Sequence, residues 1–253
     1  MRIVLNGKTR RAVGGATVLE AARDAGVDIP AVCMHNGVTP YGACRLCVVE
    51  VREKGRTRWR VVASCLYPVS EGLEIRTDTE RIRRHRKVLL ELMLARCPDV
   101  PAVRELARRH GAGRTRFKKS EDDCIMCGLC VRVCSEVVGA DAIGFASRGI
   151  TRRVDTPFGI DHRSCIACGA CTAVCPTGAI QMEYNRVIDM RRSESEHPCR
   201  YTLMGILSDA VCSLNYECAW CEVDQRMRER FGSHPIFVVR ASRAKKRARK
   251  RKN

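Results

Sequence analysis

The run Cys124-Ile125-Met126-Cys127-Gly128-Leu129-Cys130-Val131-Arg132-Val133-Cys134 recurs in outline as Cys165-Ile166-Ala167-Cys168-Gly169-Ala170-Cys171-Thr172-Ala173-Val174-Cys175. Both strings space their cysteines C-x2-C-x2-C-x3-C; Pro176 follows the second, whereas Ser135 follows the first. Three thiolates at steps of three wrap one cluster from a tight loop, and the fourth, a helical turn further on, points to the neighbouring cluster. The spacing therefore predicts two [4Fe-4S] clusters with exchanged fourth ligands. Cluster A takes Cys124, Cys127, Cys130 and Cys175, and cluster B takes Cys165, Cys168, Cys171 and Cys134. Zinc sites use two CxxC-like pairs rather than evenly stepped quartets. Gly128 and Gly169 let the backbone pass close to sulfide.

A second set lies upstream. Cys33, Cys44, Cys47 and Cys65 are spaced C-x10-C-x2-C-x17-C, and Gly42-Ala43-Cys44-Arg45-Leu46-Cys47 runs directly into the strand-like Val48-Val49-Glu50-Val51. A glycine-containing loop beside a sheet edge, with four thiolates for two irons, predicts one [2Fe-2S] cluster. The alternative is zinc, against which the lack of a second CxxC counts. The first gap is x10 where plant-type ferredoxins have x4, so the loop is a variant.

Composition agrees with a chain built around metal. Seventeen of 253 residues are cysteine. The N-terminus, Met1–Gly15, has no apolar stretch before a small-residue cleavage site, and no run approaches the length of a membrane span, which predicts a cytoplasmic chain. Thiols are kept reduced there, and an odd cysteine count suits disulfides poorly, so metal ligation is the remaining reason for so many. The formal charge is +18 with a pI near 9.5. That excess lies wholly in residues 76–119 and 240–253; the rest balances to zero. Three oxidised clusters with their thiolates, at about −2 each, would bring the total to roughly +12. The pI thus describes two basic segments and gives no support to nucleic-acid binding by the cysteine-rich body.

The fold class expected is α+β. Residues 1–78 read as a β-grasp domain: strands at Arg2–Leu5 and Thr9–Val13 around Asn6-Gly7-Lys8, a helix at Val18–Ala25 capped by Thr17, then strands at Leu46–Val51, Arg58–Ala63 and Leu73–Arg76. Residues 79–119 read as a basic helical connector. Its first helix has Thr79 as N-cap and Ile82, Val88, Leu89, Leu92 and Met93 on one face; its second is Ala102–His110 after Pro101. Residues 120–190 are the ferredoxin-like domain of the duplicated motif, with strand-like Ala142–Phe145 and Ala179–Glu183 after its halves. Residues 191–239 form a small four-cysteine unit, and 240–253 a disordered basic tail.

Several of these strings together resemble the iron–sulfur electron-entry segment shared by three families. They are the large iron–sulfur subunit of NADH-quinone oxidoreductase, the small diaphorase subunit of NAD-reducing hydrogenases and the N-terminal part of [FeFe] hydrogenases. The matching strings are Gly42–Val51, the Cys65 strand with Val69–Thr77, the helix Arg86–Leu92 and the run Cys124–Cys134. The resemblance implies a β-grasp [2Fe-2S] domain and a bacterial-ferredoxin-like domain. It also implies partners: a flavin/NAD(H)-binding subunit on one side and a terminal redox subunit on the other. These families usually carry a His-plus-three-Cys [4Fe-4S] site after the connector helix. Here Arg96-Cys97-Pro98-Asp99-Val100-Pro101 holds one cysteine, and His85 and His110 lack partners. That site is expected to be absent, with Cys97 a buried structural thiol.

A third set, Cys199, Cys212, Cys218 and Cys221, is spaced C-x12-C-x5-C-x2-C and fits neither the zinc nor the cluster template well. Its position after a ferredoxin-like domain favours a further Fe-S cluster; the shortness of the unit favours structural zinc. His197 is a substitute ligand on that reading, and His234 a surface residue. No G-x-G-x-x-G after a strand, P-loop or Ser-His-Asp pattern stands out. The expected function is a non-catalytic relay of single electrons in a cytoplasmic oxidoreductase complex. The alternatives are a free multicluster ferredoxin and, from a different class, an Fe-S nucleic-acid-binding redox sensor using the basic tail.

Overall fold

The computed structural model describes residues 1–156, 164–182, 197–214, 216–232 and 234–237. The expected basic tail lies outside them. Two compact units divide the chain: Met1–Met34 with Pro40–Cys127, and His35–Thr39 with the residues from Gly128 onward. Among the described residues, no helix is long and apolar enough to cross a membrane.

The first unit is built on a mixed five-stranded sheet. Strands β1 (Arg2–Leu5), β2 (Lys8–Arg11), β3 (Val48–Arg52), β4 (Arg60–Ala63) and β5 (Glu74–Arg76) lie in the order β2-β1-β5-β3-β4. Only β1 and β5 run parallel; the other pairs are antiparallel. The β1–β2 turn is Asn6-Gly7, with φ of 50° and 80°, and Leu5 pairs with Lys8. Left-handed conformation at both central residues is the turn that matches strand twist, which explains Asn-Gly there. Asn6 also exchanges two 2.9 Å hydrogen bonds with the backbone and hydroxyl of Thr77, fixing the end of β5.

Helix α1 (Val18–Asp24) starts in a capping box: Thr17 Oγ1 accepts from the Glu20 N–H at 3.2 Å, and the Glu20 carboxylate accepts from the Thr17 N–H at 2.7 Å. A cap of this kind contributes about 1 kcal/mol. Its apolar side, Val18, Leu19, Ala21 and Ala22, joins Ile3, Leu5, Val49, Val51 and Ile75 from the sheet, and Leu73 just before β5, in one buried core. Each fully buried side chain of Val or Leu size adds about 1.5–3 kcal/mol.

Helix α2 (Glu80–Arg96), capped by Thr79, and helix α3 (Pro101–Arg109), with proline at its first position, belong to the same unit. The face that α2 buries differs from the expected one. Ile82, Arg86, Leu90 and Leu94 are buried, whereas Val88 is 38% and Leu92 46% exposed. The cause is Arg86, which breaks the apolar stripe in sequence yet sits in its middle in space. Its Nε donates to the Leu46 carbonyl at 3.1 Å and its Nη2 to the Val48 carbonyl at 3.0 Å.

The second unit holds short elements. They are α4 (Leu129–Val133), which runs into a π-helix at Cys134–Val138, the hairpin β6 (Gly144–Ala146) with β7 (Arg153–Asp155), and α5 (Ala170–Ala173). Near the C-terminus follow β8 (His197–Pro198), α6 (Arg200–Leu203), β9 (Val211–Cys212) and α7 (Glu222–Phe231). The expected strand at Ala142–Phe145 begins two residues later, and Ala179–Met182 is not a strand; Glu183 lies outside the described residues. The backbone N–H groups of Ala142, Ile143, Ala179 and Ile180 are instead turned to cysteine sulfur.

Candidate iron–sulfur centres

Two of the first cysteine set lie by strand ends: Cys47 directly precedes β3, and Cys65 follows β4 after Ser64. Cys33, Cys44, Cys47 and Cys65 are all buried. The Cys44 N–H donates to Cys33 Sγ at 3.4 Å, and the Cys47 and Cys65 sulfurs are 3.4 Å apart. The loop bends through left-handed residues at Gly42 (φ 71°) and Arg45 (φ 57°). A Cβ at Gly42 would stand 2.6 Å from Leu66 Cδ1, so the backbone here lies close against the residue after Cys65. The four sulfurs perturb one another. The Cys47 thiol falls to about 6 through its hydrogen bond with Cys65, while that bond and burial push Cys65 up. Cys44 is likewise raised, first by Cys33 and then by burial. Four buried thiols crowded into one loop, with a backbone N–H aimed at sulfur, fit a [2Fe-2S] donor set. The x10 gap has a use as well: His35–Thr39 belong to the second unit, where the Thr39 N–H donates to Glu136 at 2.6 Å and the Thr39 carbonyl accepts from Arg132 at 2.6 Å.

The duplication in sequence is also a duplication in backbone. Before the second cysteine of each motif stands a non-glycine residue in left-handed conformation, Met126 (φ 55°) and Ala167 (φ 49°). After it comes a left-handed glycine, Gly128 (φ 70°) and Gly169 (φ 71°), which starts the helix carrying the third cysteine. The fourth cysteines are treated alike too. Cys134 accepts from the N–H of Ala142, at 3.3 Å, and of Ile143; Cys175 accepts from the N–H of Ala179 and Ile180. The left-handed residue just before each Ala-Ile pair is Asp141 (φ 48°) in one half and Gly178 (φ 70°) in the other.

The halves differ in the length of this return. Pro176 cannot continue a helix, so the chain turns at once in the second half. Ser135 keeps its N–H, and the chain continues into the π-helix before Gly139 reverses it. π-Turns of this kind absorb inserted residues and concentrate at functional sites.

Cys134, Cys165, Cys168 and Cys171 fall within the second unit and act on one another electrostatically. Burial raises Cys168 to about 11 and Cys171 to about 12, the latter also through Cys168. Cys175 is pulled the other way: burial raises it, but hydrogen bonds from Thr177 and from the Ile180 and Ala179 N–H groups outweigh that. The other expected set is divided, with Cys124 and Cys127 in the first unit and Cys130 and Cys175 in the second. Cys124 is anchored within its own unit, its carbonyl accepting from Arg96 Nε at 2.7 Å while Arg96 pairs with Asp122 at 2.5 Å. Cys97 is fully buried, and burial pushes its thiol up to about 12.

The C-terminal cysteines lie within electrostatic reach of one another. Cys199 and Cys218 are each perturbed by Cys212 and Cys221, and the Tyr216 N–H donates to Cys212 Sγ at 3.2 Å. Among the described residues, no group of three or more His, Cys, Asp or Glu side chains is closed tightly enough to hold a single metal ion. The side chain of His197 is outside the described residues. His234, expected at the surface, is half-buried, and its Nε2 lies 2.7 Å from the Cys168 carbonyl. Its Nδ1 accepts from the Ile236 N–H at 3.2 Å, so the ring proton is on Nε2 and is donated to Cys168. No local pattern announces this; it comes from a contact across 66 residues.

Comparison with known proteins agrees with the geometry. Residues 1–80 match the 2Fe-2S iron-sulfur cluster binding domain family and residues 123–179 the 4Fe-4S dicluster domain family. The 78 kDa subunit of mitochondrial NADH-ubiquinone oxidoreductase from Candida albicans is 31% identical over 183 residues, 62% of this chain and 25% of the relative. Mitochondrial NADH dehydrogenase [ubiquinone] iron-sulfur protein 1 from Solanum tuberosum is 34% identical over 167 residues, 56% of this chain and 22% of the relative. The chain thus spans about a quarter of the length of these curated relatives. Among solved structures, a chain of NAD+-reducing [NiFe]-hydrogenase in the H2-reduced state matches with a TM-score of 0.60 and 31% identity, covering 70% of this chain and 85% of that one.

Proposed function

The chain belongs to the iron–sulfur electron-transfer family shared by NADH-quinone oxidoreductases and NAD-reducing hydrogenases, and from that premise we propose that it relays single electrons between a flavin/NAD(H) subunit and a terminal redox subunit of a cytoplasmic complex. The observation that carries this reading is the repeated cradle: the same left-handed residues and the same sulfur-directed N–H groups in both halves of the dicluster motif. The [2Fe-2S] ligands are Cys33, Cys44, Cys47 and Cys65. Cluster A is held by Cys124, Cys127, Cys130 and Cys175, and cluster B by Cys165, Cys168, Cys171 and Cys134. Cys199, Cys212, Cys218 and Cys221 hold a fourth centre, either zinc or a further Fe-S cluster.

The clusters supply reversible one-electron storage when bound. The chain's residues set where and at what potential this occurs. Backbone N–H groups aimed at sulfur favour the more negative, reduced form, and burial opposes it. Arg86 and Arg96 hold the ligand-bearing loops to α2 through backbone carbonyls.

Iron and acid-labile sulfide in the anaerobically purified protein test the reading. About ten of each per chain are expected from one [2Fe-2S] and two [4Fe-4S] clusters, before any contribution from the C-terminal set. A protein without iron or labile sulfide refutes it. Co-purification with a flavoprotein distinguishes a fixed subunit from a free ferredoxin.

A further inference from the structure

Within the second unit, the C-terminal residues place one fixed positive charge against the loop of Cys168. Arg200, the first residue of α6, is 5% exposed. Its Nη1 donates to the Cys168 carbonyl at 3.3 Å. Its Nη2 bonds to Asp224, itself 1% exposed, and Tyr201 Oη donates to the same carboxylate oxygen at 2.6 Å. Arg228 reaches the other oxygen of Asp224 at 2.7 Å. Two guanidinium groups therefore share one carboxylate; the Arg228 side chain is 63% exposed, so the buried pair is Arg200 with Asp224, its cationic end bonded to the Cys168 carbonyl. The buried Nε of Arg200 has no hydrogen-bond partner among the described residues.

Two further observations give this charge a direction. His234 donates to the same Cys168 carbonyl, so one ligand-bearing peptide is held by two donors from the C-terminal residues. The Arg200 charge also acts on the thiols of Cys168, whose carbonyl it bonds, and of Cys218. A buried arginine is costly unless its charge is used. The guanidinium end of this pair, with an N–H that has no partner among the described residues, lies against the Cys168 peptide, where a bound cluster would carry negative charge.

We propose that Arg200 is a positioning residue for the centre bound by Cys134, Cys165, Cys168 and Cys171, holding the Cys168 peptide in place and raising the reduction potential of that cluster by its charge. This rests on the ligand assignment given above. One-electron reduction adds one negative charge to the cluster and its four thiolates, and a fixed cation in a low-dielectric setting favours that charge. Asp224 works in the opposite sense. It partly cancels Arg200, so the pair sets the potential by difference.

The test is an EPR-monitored redox titration of the full chain, purified anaerobically with its clusters, using dithionite as reductant. Arg200→Gln is expected to make one of the two [4Fe-4S] signals, and only one, harder to reduce. The change is about tenfold in the reduced-to-oxidised ratio at fixed potential, which is about 59 mV for one electron. Arg200→Lys retains the charge and recovers most of the loss. Asp224→Asn leaves the cation unopposed and shifts the same signal the other way, which keeps the proposal testable should Arg200→Gln fold poorly. General loosening of the loop would shift all three variants in one direction, and that result overturns the proposal, as do unchanged potentials. A wild-type protein with no second [4Fe-4S] signal overturns the ligand assignment and the proposal with it.

Discussion

Replacing Arg86 by methionine tests how the [2Fe-2S] loop is held. The guanidinium is buried and donates to the carbonyls of Leu46 and Val48, which flank Cys47. Hydrogen bonds to a charged group contribute about 1.5–3 kcal/mol each, so the two together are worth about 3–6 kcal/mol. Burial acts against this charge, as the lowering of the Arg86 pKa shows, and removing the cation recovers part of that cost. If the offset is about half, Arg86→Met loses about 1.5–3 kcal/mol. With a urea dependence of about 2 kcal/mol per M, the unfolding midpoint falls by about 0.8–1.5 M. The assay is anaerobic urea unfolding followed by far-UV circular dichroism and by the visible absorption of the clusters. Arg86→Lys keeps the charge but not the two-pronged geometry, and should recover no more than about half of the loss. A midpoint for Arg86→Met within about 0.3 M of wild type would refute the carbonyl tether as a source of stability.

Three further outcomes follow from particular residues. Gly42→Ala places a side chain in left-handed backbone and against Leu66, and should cost about 1–2 kcal/mol of thermal stability, with Gly42→Asn milder. Cys97, with its thiol pushed up to about 12, should resist alkylation in the folded protein from pH 7 to 9, since the reactive thiolate forms only near the raised value; Cys97→Ala should leave the iron content unchanged. Ser135→Pro removes a backbone N–H where α4 runs into the π-helix and should cost about 3 kcal/mol, read as a lower melting temperature, while Pro176→Ser in the shorter half should cost less.

Much of the fold is written locally. Asn6-Gly7 specifies its turn, Thr17 and Glu20 their capping box, and the alternation in β1 its buried face, because each is decided by neighbours in sequence. The cysteine spacings are legible for the same reason, since a loop that wraps a cluster is a local object. What escapes is set by distant partners. The buried side of α2 is concealed by an arginine whose acceptors lie about forty residues upstream. The N–H groups at Ala142 and Ala179 serve sulfur rather than a neighbouring strand, so β-propensity misplaces one strand and invents another. His234 looks like a surface residue until the fold delivers Cys168 to it.

The tether from Arg86 also sets a limit on dissection. The [2Fe-2S] family match ends at residue 80, one residue into α2, yet the compact unit continues to Cys127. A protein cut at the family border would strand the two carbonyls that Arg86 satisfies and uncover the side of β3 on which α2 packs. The family match is thus shorter than the compact unit that contains it. Grafting this redox module onto another scaffold therefore means carrying α2 along with it.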